Sequence, residues 1–189
     1  MKSVKIGNQE WSSENLNVDH FNNGDEIQQV ESAEDWLKCL ENKTPAWCYY
    51  DNDPVKGDTY GKLYNAFAVM DVRGIAPEGW HIPTAEQWSE LVEFLGGAST
   101  GKLLKSSSGW LEDGNGTDIH SFGALPGGYR TPASASYKYL GEYGFWWSAS
   151  QVSKINKSPW AYYMSSDNAE VDRSGYNPLC GFSVRCVKN

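Results

Sequence analysis

The chain has 189 residues, of which 40% are hydrophobic and 14% aromatic, and its formal net charge is -8. This length fits one domain with a sizeable core, so we treat residues 1–189 as a single domain. The 16 Lys and Arg residues are scattered without a basic run, which argues against nucleic acid and an anionic membrane surface as main partners.

The start of the chain and its cysteines say little about location. Residues 1–6 lack the apolar segment of a secretory signal, and no stretch approaches the length of a membrane span. A leader or carrier removed from the protein would place the domain at a cell surface or on a virion. Cys39, Cys48, Cys180 and Cys186 are too few for a disulfide scaffold, and no pair has the CxxC spacing of a zinc site. We therefore expect no metal and no other cofactor.

Residues 4–11 alternate apolar and polar side chains and predict a strand, which the Asn-rich turn at 22–25 follows. Ser32 and Asp35 then predict a capped helix that ends before Pro45. We expect this helix to turn Trp36, Leu37 and Leu40 towards one side.

The strongest helix prediction starts at Thr84, whose capping-box partner is Gln87, and ends at the glycine pair 96–97. Beyond it, helical periodicity stops and short alternating segments predict strands, as in 160–164 and 182–187. The sequence thus predicts an α+β domain with two early helices and short, mainly antiparallel strands. The residues expected in its core are Trp88, Leu91, Leu95, Trp160, Phe182 and Val184.

Eight segments in fixed order carry a family resemblance over essentially the whole chain. They are VKIGNQEW at 4–11, ENLN at 14–17, TPAWCYYDND at 44–53, YGKLYN at 60–65, PEGWHIPT at 77–84, ALPGGYR at 124–130, WWSAS at 146–150 and GFSVRCV at 181–187. Together they resemble the Fibrobacter succinogenes major paralogous domain family.

This resemblance implies a C-type-lectin-like fold of the branch that includes formylglycine-generating enzymes, whose helix start is similar to PTAEQW at 83–88. It implies no particular activity, because this fold supports sugar binders, protein binders, enzymes and receptors. The chain departs from the family at Ala76, where relatives often have a cysteine. If that cysteine normally pairs with the terminal one, Cys186 lacks its usual partner here.

Two local patterns are weak candidates for metal sites. His81 has no second histidine at ligand spacing, so we expect it to form structural hydrogen bonds. The acidic run of Asp51, Asn52, Asp53 and Asp58 offers oxygen ligands but lacks EF-hand spacing, so an Asx-rich turn is favoured.

An enzymatic alternative depends on Cys180 and Cys186. Formylglycine-generating enzymes, which the chain resembles, use two nearby C-terminal cysteines for copper-dependent oxidation, and thiolates suit Cu(I). Residues 184–187, however, are typical of a buried closing strand, in which Cys186 would be a packed thiol. We expect no catalysis.

The interval 150–179 predicts a recognition surface. Strand alternation turns Trp160, Tyr162 and Met164 to one face and Ala161, Tyr163 and Ser165 to the other, so the second set is displayed if the first is core. Tyr, Ser and Asn on a rigid scaffold are typical of antibody-like binding surfaces. The predicted ligand-binding residues are Lys154, Asn156, Tyr163, Ser165, Asp167, Asn168, Asp172, Arg173, Tyr176 and Asn177. The expected partner is a protein or a cell-surface glycan.

The same interval is similar to the variable segment of proteins that diversity-generating retroelements mutate. Members of the family often have asparagine runs here, whereas this chain has mixed residue types. Adenine-directed mutagenesis of Asn codons is one explanation that the resemblance implies for this mixture.

Overall fold

The computed structural model describes residues 1–153 and 158–189, and these form a mixed α+β domain, as the sequence predicts. Its helices are α1 (Ala33–Asn42), α2 (Pro54–Tyr60), α3 (Ala66–Val69), α4 (Ala85–Phe94) and α5 (Gly101–Leu104). Its strands are β1 (Ser3–Ile6), β2 (Gln9–Ser12), β3 (Gln28–Gln29), β4 (Ala46–Cys48), β5 (Leu63–Tyr64), β6 (Trp80–His81), β7 (Gly127–Arg130), β8 (Tyr137–Leu140), β9 (Tyr143–Gln151), β10 (Pro159–Ser165), β11 (Asp172–Gly175) and β12 (Val187–Lys188).

One small sheet joins the two ends of the chain in the order β1-β2-β12-β6. The strand predicted at 4–11 is in fact a hairpin, because Gly7 takes a left-handed conformation (φ 61°) and reverses the chain between β1 and β2. β12 pairs with β2 at Trp11 and with β6 at His81. The C-terminal strand therefore lies between segments that are far apart in sequence.

Both predicted helices are present with their predicted caps. The Ser32 side chain accepts a hydrogen bond from the Asp35 amide, and Thr84 and Gln87 form the complete capping box. The buried side of α1 is different from the predicted one. It carries Trp36 and Cys39, while Leu37 and Leu40 are exposed, because the Trp36 indole is anchored to the Leu179 carbonyl (3.0 Å).

The acidic run at 51–58 contributes to a helix that the sequence did not predict. Asp53 caps α2 by accepting a hydrogen bond from the Val55 amide, and Asp51 bonds to Lys56. Among the residues that the structure describes, no group of three or more His, Cys, Asp or Glu side chains could hold a metal ion.

The largest sheet has the order β11-β10-β9-β7-β8 and positions the candidate site. β9 and β10 pair antiparallel along most of their length, with Tyr163 opposite Phe145 and Tyr162 opposite Trp146. Alternate residues enter two different cores. We call the side with Phe145, Trp147 and Ala161 the front face, and the side with Trp146, Tyr162 and Met164 the rear face.

This burial on both sides corrects the predicted display of one side of β10. Ala161 and Ser165 are 0% and 4% exposed, and Tyr163 is half-buried. Alternate side chains of β10 enter one buried cluster or the other, instead of alternating between a core and solvent. Of the predicted core residues, Trp88, Leu91, Phe182 and Val184 are buried as expected, whereas Leu95 and Trp160 are only half-buried.

The junction between β7 and β9 depends on glycine. Gly128 and Gly144 are opposed in a parallel pair. A Cβ atom on Gly128 would lie 2.4 Å from the Lys138 carbonyl oxygen, and one on Gly144 would lie 2.4 Å from the Trp146 ring. Without a side chain, Gly128 lets the β8 backbone pass close by, and Gly144 leaves room for the Trp146 ring.

Three buried cations hold the long loops in place through backbone carbonyls. Arg130 donates to Val30, Glu31, Ser32 and Ala135, and Arg185 donates to Ser12, Phe122 and Gly123 as well as to the Asn15 side chain. Lys105 donates to Gly114, Ser165 and Asn168. Each cation thus supplies charged donors to several buried or partly buried carbonyls of the loops at once.

Candidate ligand-binding surface

Five tyrosines on the front face form one aromatic surface, which we call the tyrosine platform. Four of them lie on four different strands, and the fifth directly follows β11. The sheet thus brings together positions up to 47 residues apart, from residue 129 to residue 176. The members are Tyr129 on β7, Tyr139 on β8, Tyr143 on β9, Tyr163 on β10, and Tyr176.

The rings form an unbroken chain of contacts. Ring centroids are 5.8 Å apart for Tyr129 and Tyr139, and 5.1 Å apart for Tyr139 and Tyr143. Tyr163 is 6.4 Å from both Tyr143 and Tyr176. These separations lie in the range of favourable aromatic pairs, so the five side chains behave as one surface.

Two buried phenylalanines support the platform from beneath. Phe145 and Phe182 are stacked with centroids 4.8 Å apart. Tyr129 and Tyr163 pack on Phe145 at 5.1 and 5.6 Å, and Tyr176 stands edge-on against Phe182 at 5.0 Å. Four of the tyrosines thus rest on core rings, and Tyr139 packs on Tyr129 and Tyr143, so the exposed edges have little conformational freedom left to lose on binding.

The platform hydroxyl groups are available to a ligand as far as the described residues go. Tyr139 is 44% exposed and the other four tyrosines are half-buried. Within the described part of the chain, none of the five hydroxyls bonds to another protein group. Partial burial raises the pKa of Tyr129, Tyr143, Tyr163 and Tyr176 above the ordinary value. These phenols are therefore neutral near pH 7 and can both donate and accept hydrogen bonds.

Tyr139 reaches the platform through an unusual backbone conformation. Tyr137 pairs with Arg130 and Lys138 pairs with Tyr129, so regular alternation would direct Tyr139 to the Arg130 side of β8. A left-handed conformation at Tyr139 (φ 63°) turns its ring onto Tyr129 instead. Such a conformation costs a bulky residue about 1–3 kcal/mol and is typical of ligand-binding positions.

Carboxylates lie along one edge of the platform. Asp172 is the cross-strand partner of Tyr163, which puts both side chains on the front face. Asp167 accepts a hydrogen bond from Ser165, the cross-strand partner of Tyr143. Glu142 precedes Tyr143 and is exposed. The negative charges of Asp167 and Glu142 add to the burial that raises the pKa of Tyr143, and Asp172 acts in the same way on Tyr163.

The structure divides the ten predicted binding residues among several places. Tyr163, Tyr176, Asp167 and Asp172 belong to the platform or its edge. Arg173 lies on the rear face, where its guanidinium lies 5.0 Å from the centre of the Trp160 ring and donates to Tyr162 (3.3 Å). Arg173, although predicted to bind the ligand, therefore does not lie beside Tyr163 and Tyr176, because neighbouring residues of a strand point to opposite faces.

The remaining predicted residues have structural contacts. Ser165 is buried and not displayed, since its hydroxyl bonds to Asp167 and its carbonyl accepts from Lys105. Asn168 and Asn177 are exposed, and each accepts a hydrogen bond from a backbone amide two residues on. Lys154 and Asn156 lie outside the described residues.

Three platform residues were missed by the sequence reasoning: Tyr129, Tyr139 and Tyr143. Residues 129–143 do contain four tyrosines, which is the one local feature that points to them. Nothing in the sequence indicates that β7 and β8 lie beside β9, or that Tyr139 leaves the regular alternation.

The other candidate residues of the sequence have structural surroundings. His81 bonds to Asn189 (2.7 Å) and to Gln87 (3.0 Å), which confirms its hydrogen-bonding role. All four cysteines are buried and free. Cys180 and Cys186 lie in the core beneath the platform, where burial raises the pKa of each thiol to about 12.

The comparisons with known proteins identify the family. Residues 4–188 match the model of the Fibrobacter succinogenes major domain, so the chain belongs to that family. No curated protein and no solved structure matches the chain. None of the helices in residues 1–153 and 158–189 is long and apolar enough to cross a membrane.

Proposed function

We propose that this domain is a non-catalytic ligand-binding or adhesion module that binds a protein or a cell-surface glycan at the tyrosine platform. The observation that carries the proposal is a set of five packed tyrosines whose hydroxyls bond to no other group among residues 1–153 and 158–189. A protein gains nothing in stability from leaving such hydroxyls unpaired on partly exposed rings. A ligand gains contact area at low entropic cost and several hydrogen bonds from the same arrangement.

The strained backbone of Tyr139 supports this proposal independently. A tyrosine in a left-handed conformation is replaced easily by glycine or asparagine if only the fold matters. Here the conformation brings an exposed ring into contact with both Tyr129 and Tyr143. Binding is a reason to keep the ring there.

We further propose that the architecture is C-type-lectin-like. Support comes from the resemblance of the Pro83–Trp88 segment to the helix start of formylglycine-generating enzymes, and from the position of that helix, α4, against the largest sheet. The family and the lectin-like architecture are both compatible with a location at a cell surface or on a virion.

The proposed diversification by a retroelement would affect only part of the platform. Changing one adenine converts an Asn codon to a Tyr, Asp or Ser codon, and Tyr163, Asp172 and Tyr176 fall in the interval concerned. Tyr129, Tyr139 and Tyr143 fall outside it. A nearby reverse-transcriptase gene and a second copy of the DNA for residues 150–180, differing mainly at adenines, would support this idea. A neighbourhood without them would overturn it.

The copper-dependent oxidase alternative is not favoured by the geometry around the two cysteines it requires. Cys180 and Cys186 are 2% and 0% exposed, and their raised pKa values keep the thiols protonated near neutral pH. Copper binding and substrate oxidation need thiolates that a substrate can reach. These residues do not fit such a site.

The experiment is a binding screen of the fluorescently labelled domain, presented as a tetramer, against arrays of glycans and of recombinant surface proteins. Tyr139→Ala and Tyr163→Ala are compared with Phe94→Ala. Phe94 is a matched control, because it is an exposed aromatic residue (60%) on α4, which covers the rear face.

We expect each platform variant to lose about 2 kcal/mol of binding free energy, roughly thirtyfold in affinity, for the targets that the native domain binds. Phe94→Ala should bind as the native domain does. Loss of binding in Phe94→Ala with native affinity in both tyrosine variants would overturn the proposal, and so would the absence of any bound target.

A further inference from the structure

Aromatic rings elsewhere in this molecule hold its own cations. The distances from the cation to the ring centre lie between 4.3 and 5.0 Å for five pairs. These pairs are Lys62 over Trp47, Lys105 over Trp110, Arg130 over Trp36, Arg173 over Trp160, and Arg185 over Phe122. Cation–π contact is thus a repeated interaction of this chain.

The tyrosine platform differs from these cation–π pairs. Among the residues that the structure describes, no ammonium or guanidinium group lies over any of its five rings. Lys138 is the exposed cross-strand partner of Tyr129 and so shares the front face, but its ammonium lies over none of the five rings. Arg173, which is adjacent in sequence to Asp172, is on the opposite face. The exposed parts of these rings therefore hold no cation from the described residues and can accept one from a partner.

The edge of the platform carries negative charges, which complement a cationic ligand. Asp172 lies beside Tyr163, while Asp167 and Glu142 lie near Tyr143. All three carboxylates are exposed, and none of them forms an ion pair within the described residues. With a net charge of -8, the whole chain also attracts cationic partners from a distance.

We propose that the occupant of the tyrosine platform is a basic segment of a protein partner, whose arginine side chains stack on the tyrosine rings and pair with Asp172, Asp167 and Glu142. This inference rests on the proposed function and specifies its ligand class. An anionic glycan is disfavoured, because its charges would meet carboxylates of the same sign. A neutral glycan is the competing outcome of the test.

Arginine suits this surface better than lysine does. Its guanidinium is planar and stacks on an aromatic ring while its N–H groups remain free to donate. Hydrogen-bond acceptors are close by, since the rings carry phenol oxygens and the carboxylates lie along the edge of the platform. Lysine can supply the charge but not the flat stacking face.

The test is an NMR titration of the full chain labelled with 3-fluorotyrosine, in which each ring gives its own fluorine signal, assigned by single Tyr→Phe substitutions. The probe is a short acetylated peptide that alternates glycine and arginine. The matched control peptide carries citrulline, which keeps the planar shape of arginine without the charge. A neutral oligosaccharide is the third ligand.

We expect the arginine peptide to shift the signals of Tyr139, Tyr143 and Tyr163, while those of the buried Tyr64 and Tyr162 stay in place. Affinity should fall about threefold in Asp172→Asn and more steeply when NaCl is raised from about 50 to about 500 mM, because exposed charges are screened. The citrulline peptide should bind at least about tenfold more weakly.

Three results would overturn the inference. They are equal binding of the citrulline and arginine peptides, shifts confined to tyrosines outside the platform, and shifts caused by the neutral oligosaccharide alone. The last result would leave the binding function of the platform intact and replace its ligand class. If the platform variants also retain native binding in the array screen, the proposed function itself fails.

Discussion

Tyr162 and Tyr163 are neighbours on β10, yet their surroundings are opposite. Tyr162 is 3% exposed on the rear face, stacks on Trp88 at 4.9 Å and donates its hydroxyl to the Ala85 carbonyl (2.8 Å). Tyr163 is half-buried on the front face, and its hydroxyl has no bond within the described residues. The same side chain is thus part of the core on one face and available to a ligand on the other.

The elements that pack over each face of the sheet explain this difference between the two tyrosines. α4 lies across the rear face, and its first turn supplies both the stacking ring and the hydrogen-bond acceptor for Tyr162. Over Tyr163 the front face ends in other tyrosines. Aromatic content alone therefore does not indicate function, whereas an aromatic cluster whose polar atoms lack protein partners does.

The largest expected effect comes from truncating each tyrosine in turn. Tyr162→Ala should lower the free energy of unfolding by about 3–5 kcal/mol, because it leaves a cavity against Trp88 and removes a buried hydrogen bond. Tyr163→Ala should cost only about 1 kcal/mol, since its ring is partly solvated already. Urea unfolding followed by tryptophan fluorescence measures both. Equal losses would show that the two faces are equally buried.

The next effect concerns Lys105, which holds the end of β10 where the acidic edge of the platform begins. Lys105→Met should cost about 2 kcal/mol, because the carbonyls of Ser165 and Asn168 lose a charged donor. Lys102→Met is the control, as Lys102 is exposed one turn earlier. The comparison is a difference in urea midpoint, and two indistinguishable midpoints would contradict the role given to Lys105.

Tyr→Phe substitutions remove only the hydroxyl group, so they measure what its hydrogen bond contributes to stability on each face. Tyr162→Phe should lower the free energy of unfolding by about 1 kcal/mol, because the Ala85 carbonyl loses its buried partner. Tyr163→Phe should change it by less than about 0.5 kcal/mol. Thermal unfolding by circular dichroism distinguishes the two. A larger loss for Tyr163→Phe would reveal a bond that the free protein uses.

The smallest expected signal is the protection of the thiols beneath the platform. At pH 8, Cys180 and Cys186 should resist alkylation by iodoacetamide for as long as the domain stays folded, because burial raises the pKa of each to about 12. The pKa of each thiol is higher in the folded than in the unfolded protein. The contribution of these thiols to the free energy of unfolding is therefore complete below pH 9 and is lost as the pH rises towards 12. Mass spectrometry detects the modification. Rapid alkylation at pH 8 would mean that the front face opens readily.

Much of the fold was predictable, because local signals such as the Thr84 capping box and the Ser32 cap act over three residues and were read correctly. The site was predictable only in part. Tyr163, Tyr176 and Asp172 follow from one segment, whereas Tyr129 and Tyr143 join them through pairings between distant strands. Tyr139 depends on a single left-handed residue that strand periodicity cannot reveal. Arg173 lies elsewhere because β11 directs it to the rear face, and Ser165 is buried although it shares the front face with Tyr163.

The most direct measurement is a tyrosine nitration footprint, read by mass spectrometry on the free domain and on its complex with a target from the array screen. In the free domain, we expect nitration of Tyr139, Tyr143 and Tyr163 and protection of Tyr162. In the complex, the platform tyrosines should become protected while Tyr60, which is half-buried at the end of α2, reacts as before. A complex that leaves the nitration of all five platform tyrosines unchanged would contradict the assignment of this surface as the binding site.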